Sequence, residues 1–69
     1  MTPIMLRQLW SLIENTQADL ILQQDDSSLV NWLLAKLREV RSLEGEESQA
    51  ISHYLQTKTS LIRDLAAQR

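Results

Sequence analysis

Leucine and isoleucine recur every third or fourth residue in three stretches of this chain, a spacing that lines one face of an α-helix and has no counterpart in a strand. In the first stretch Leu6, Leu9, Ile13 and Leu20 follow the pattern, with Thr16 in the remaining gap. In the second, Leu29, Val30, Leu33, Leu34, Leu37 and Val40 form one broad face. In the third, Ala50, Ile51, Tyr54, Leu55, Leu61, Ile62 and Leu65 continue it, with Lys58 in step. A single glycine and a single proline leave no material for a series of tight β-turns or a glycine-rich phosphate loop. The expected class is all-α: one helical domain over 1–69, a small bundle of three to four amphipathic helices.

Boundaries follow from the residues between the stretches. Thr2 before Pro3 starts a helix, the hydroxyl accepting a backbone N–H and the proline placed where its missing donor costs nothing. One helix is expected over about 3–24, with a weak point near Asn15, where Thr16-Gln17-Ala18-Asp19 reads as a capping box. Asp25-Asp26-Ser27-Ser28 supplies side-chain oxygens and negative charge for the start of a second helix, about 27–42. The segment Ser42–Glu47 holds the glycine and three acids, and opens the carboxyl region. Thr57-Lys58-Thr59-Ser60 are poor helix formers, so that region is either one helix from 46 to 67 or two, 46–57 and 60–67.

Size makes packing demanding. A chain near 60 residues buries only about 60% of the surface it exposes unfolded. This one has 69 residues, no cysteine for disulfide or thiolate–metal staples, and one histidine. Thirteen Leu, five Ile, two Val and two Trp spread over stripes wider than one antiparallel seam. A second chain covering part of them would stabilise the fold, since burying a Leu or Ile is worth about 1.5–3 kcal/mol. No run of apolar residues is long enough to cross a bilayer, and no secretory leader is apparent, so a cytoplasmic protein without membrane insertion is expected.

The residues offer little chemistry. His53 has no carboxylate three or four positions away, and the acids at 25–26 and 44–47 sit where helix starts favour negative charge. The reading is therefore no enzyme, no catalytic residue, no cofactor and no metal. The formal net charge of −2 argues against general nucleic-acid binding. Only residues 27–43 carry net positive charge, from Lys36, Arg38 and Arg41 against Glu39. These cations either serve the carboxyl end of their own helix or steer an acidic partner, with Trp32 as the apolar anchor beside them. Trp10 is likewise either a partner anchor or an edge-of-core residue.

Two functions from different classes remain. The first is a small helical protein–protein interaction module, an adaptor or regulatory subunit and a homo-oligomer, docking through Trp10, Trp32, Lys36, Arg38 and Arg41. The alternative is a helix-turn-helix DNA-binding regulator formed by residues 49–65, with Lys58, Ser60 and Arg63 toward the nucleic acid. Against it, Gln56 and Thr57 stand where such turns favour glycine and an apolar residue. The stretches Leu20–Leu37 and Tyr54–Ala66 resemble small uncharacterised proteins of cyanobacteria. That resemblance implies a cytoplasmic setting and no activity, ligand or site residue.

Overall fold

The computed structural model describes residues 2–69. Among them are four helices and no strand: α1 (Pro3–Asn15), α2 (Ala18–Gln23), α3 (Asp26–Val40) and α4 (Gly45–Ala67). Helix α4 has 23 residues and, at about 1.5 Å per residue, runs the length of a molecule measuring 31 × 20 × 18 Å. It packs against α2 and α3, while α1 packs on α3.

Three helix starts follow directly from local sequence. The Thr2 hydroxyl accepts the Met5 N–H at 3.2 Å, with Pro3 at the first helical position. The Asp25 carboxylate accepts the Ser28 N–H at 2.8 Å. Hydrogen bonding to the Ser28 side chain and then its backbone holds the Asp25 carboxyl below its ordinary value. At α4 the Glu47 carboxylate reaches back to the Glu44 N–H at 3.1 Å.

The single helix expected over 3–24 is divided. Thr16 and Gln17 are extended, and α1 and α2 lie on either side of them. The capping box read there does not form. The Thr16 hydroxyl instead donates backwards to the Leu12 carbonyl at 2.6 Å, and Gln17 caps α2 without a side-chain hydrogen bond. The physical cause lies just past the end of α4. Nη2 of Arg69 donates to the Ile13 carbonyl at 2.8 Å and its Nη1 to the Thr16 carbonyl, satisfying acceptors that an interrupted helix leaves open. Arg63 does the same for α2, donating to the carbonyls of Ile21 at 3.1 Å and Gln24 at 2.7 Å, and to Asp26 Oδ1 at 2.8 Å.

The second helix begins one residue early and ends two residues early, because Arg41 leaves the helix with extended geometry. The carboxyl region is one helix. Thr57 and Thr59 return their hydroxyls to the carbonyls of Tyr54 (2.7 Å) and Gln56 (3.4 Å), and Thr59 occupies a core position between Leu55 and Ile62. The core itself draws on all four helices: Met5, Leu9 and Ile13; Ile21; Leu29, Val30, Leu33, Leu34 and Leu37; Ile51, Leu55, Ile62 and Ala66.

Candidate interaction surface

The residues singled out in sequence separate onto different faces. Trp10 packs at the edge of the core, where its indole N–H donates to the Tyr54 hydroxyl at 3.1 Å. A tryptophan satisfied in this way braces α1 against α4. Arg38 points toward the start of α4, donating to Ser48 Oγ at 3.3 Å. Arg41 turns the other way, because the backbone has already left the helix, and donates to Gln8 Oε1 at 2.9 Å. Its Nε is buried without a hydrogen-bond partner. Arg38 and Arg41, expected to form one cationic patch with Lys36, therefore face different ways.

Lys36 and Trp32 do meet. They stand one turn apart on α3, and the Lys36 ammonium lies 5.3 Å from the centre of the Trp32 ring. The ammonium also lies 3.6 Å from Glu39, in a setting exposed enough for that pair to contribute little. Around them is an open hollow of about 370 Å³ lined by Leu12, Asn15, Thr16, Gln17, Leu20, Trp32 and Lys36. A second hollow of about 310 Å³ shares Leu12 and Asn15 with it and extends along Arg7, Gln8, Ser11 and Val40. Together they make one groove between α1 and α3, ending on α2.

Its walls combine apolar surface with positive charge. Leu20 is 41% exposed and Val40 56%, while Leu12 and Trp32 are half-buried. Trp32, Lys36 and Val40 recur every four residues, so the flank of α3 beside its buried stripe is itself semi-apolar. Leu20 and Val40, expected within the buried stripes, are instead 41% and 56% exposed here, and Leu12 was visible in sequence only as a residue widening the first stripe. Which of those the bundle would cover could not be read from spacing.

On the opposite flank of α3 lie two open hollows of about 390 and 370 Å³, the first mostly polar, with Asp26, Asn31 and Gln56, and the second mixed, with Leu34 beside Arg38, Ser52 and His53. Among the described residues no three His, Asp or Glu side chains converge as metal ligands would.

The helix-turn-helix of the alternative reading, residues 49–65, is not formed, since the whole segment is uninterrupted helix and contains no turn. Arg63 is spent on α2 and Asp26, Lys58 lies over the Tyr54 ring at 5.8 Å, and Ser60 is an exposed mid-helix residue. No described helix is long and apolar enough to cross a membrane. Comparison of the chain with protein-family models, curated proteins and solved structures gives no match.

Proposed function

We propose that this protein is a small helical interaction module, an adaptor or regulatory subunit that binds protein through the α1–α3 groove. The observation carrying the reading is the groove's composition: partly exposed Leu12, Leu20, Trp32 and Val40 beside Lys36 and Arg7, in a chain whose core is already closed elsewhere. Fully burying one aliphatic or aromatic side chain is worth about 1.5–3 kcal/mol, and these four are already partly covered. Completing their burial yields roughly 3–6 kcal/mol, comparable to the lower end of the association cost of about 4–15 kcal/mol. Binding is therefore weak and reversible unless the partner also offers acidic groups to Lys36 and Arg7.

A photo-reactive residue at Val40, compared with one at Gln56 on the opposite flank of α3, tests this in the native cell. Adducts from position 40 and none from 56 support the reading. Equal adducts from both positions, or none from either, refute it.

A further inference from the structure

A second unpartnered face on the same chain complements the groove. On α4, Tyr54, Lys58, Leu61 and Leu65 are spaced by four, three and four residues and so share one stripe, with Asp64 beside the two leucines. Leu61 is 45% exposed and Leu65 42%. Among the described residues the Asp64 carboxylate makes no ion pair or side-chain hydrogen bond. Lys58 lies a turn earlier against Tyr54, and Arg69 a turn later is committed to the carbonyls of Ile13 and Thr16, so the centre of this face is acidic and leucine-rich. The groove is the opposite: apolar, with Lys36, whose ammonium also lies 3.6 Å from the exposed Glu39, lining one hollow and Arg7 the other.

We infer that the Leu61–Asp64–Leu65 face of one copy docks into the α1–α3 groove of a second copy, the leucines against Leu12 and Trp32 and Asp64 against Lys36. This rests on the interaction-module reading above and names its partner as the chain itself. A helical face in an apolar groove is a recurrent recognition mode. Pairing groove with groove would instead bring two cation-bearing surfaces together, which like-charge repulsion disfavours.

The placement of the two faces also fixes the kind of assembly. Leu12 of α1 lines the groove, whereas Trp10 of α1 joins Tyr54 in the α4 stripe. Residues two positions apart on a helix point roughly 200° apart, so Leu12 and Trp10 direct the groove and the Tyr54 end of the α4 stripe to different sides of α1. Contacts between them are head-to-tail, and such contacts either close into a ring or extend.

Sedimentation equilibrium of the full chain across micromolar to submillimolar concentration, at low and high salt, reads this directly. The expected result is a mass that climbs past the dimer with concentration and falls with salt. Lys36→Glu and Asp64→Lys each weaken association roughly five- to tenfold, and the double variant, which restores opposite charges across every contact, recovers most of the loss. Both side chains lie at the surface, and unchanged circular dichroism verifies that the variants fold. A wild-type chain that stays monomeric throughout overturns the inference, as do single variants without effect or a double variant without recovery. If position 40 cross-links a different polypeptide while the chain sediments as a monomer, self-docking is overturned and the interaction reading stands.

Discussion

Replacing Arg63 by methionine removes the one side chain that ties α2, the start of α3 and α4 together. The arginine makes two hydrogen bonds to main-chain carbonyls, Ile21 and Gln24, and an ion pair with Asp26. Its side chain is 25% exposed, whereas that of Asp26 is 71% exposed, so solvent screens the ion pair, which contributes about 0–1 kcal/mol. Hydrogen bonds from a charged donor contribute more, roughly 1.5–3 kcal/mol each. Water can reach part of the vacated α2 terminus, which returns some of that loss, and methionine keeps the packing of the aliphatic stem. The expected destabilisation is about 2–3 kcal/mol. For a domain this size that lowers Tm by roughly 10–20 °C, out of a total stability on the order of 3–10 kcal/mol.

Thermal unfolding followed by circular dichroism at fixed protein concentration measures the change, and amide exchange locates it. Exchange should accelerate first in α2, whose six residues have little packing beyond Ile21 to hold them. Arg63→Lys keeps the charge but lacks the planar fork that serves two carbonyls at once, so it recovers less than half. Asp26→Asn should cost under about 1 kcal/mol. An Arg63→Met loss below about 1 kcal/mol, or full recovery by lysine, would refute the view that guanidinium bonds to the α2 carbonyls stabilise this junction.

Three further outcomes follow from the same geometry. Leu33→Ala, at a wholly buried position of α3, should cost about 2–5 kcal/mol in urea unfolding, the range for a leucine cavity. Trp10→Phe deletes the indole donor and leaves the Tyr54 hydroxyl to water, so equilibrium unfolding should register a loss of about 0.5–1.5 kcal/mol, not a core-sized one. The Asp25 carboxyl is lowered in the folded state, so its contribution is present above the unfolded value near 3.8 and is lost as pH falls through and below it. Asparagine caps helices well but does not titrate, so the Tm advantage of the parent over Asp25→Asn should shrink steadily on acidification below about pH 4. A constant difference would rule out the linkage.

Local sequence determined whatever could be settled within a turn of helix. Leucine spacing required helices, Thr2-Pro3 set the start of α1, and Asp25 set that of α3, because a side-chain oxygen three residues from an open N–H needs no distant partner. The adjacency of Trp32 and Lys36 was legible for the same reason, being one turn of α3. Tertiary structure decided where helices stop. Propensity marked both Thr16 and Thr57–Ser60 as weak points, yet the chain breaks at the first and runs on through the second. At the first, Arg69, 53 residues away, donates to the open Thr16 carbonyl, and Arg63 does the same at the end of α2, 42 residues from Ile21. At the second, Thr59 is buried in the core stripe, and continuous helix keeps Leu55, Ile62 and Ala66 on the same face. The division of stripe residues into core and groove was decided there too. Spacing puts Leu20 and Val40 in the apolar stripes and Leu12 at a stripe's edge, but whether such a residue is covered depends on how closely a neighbouring helix approaches, a property of packing that no single helix contains.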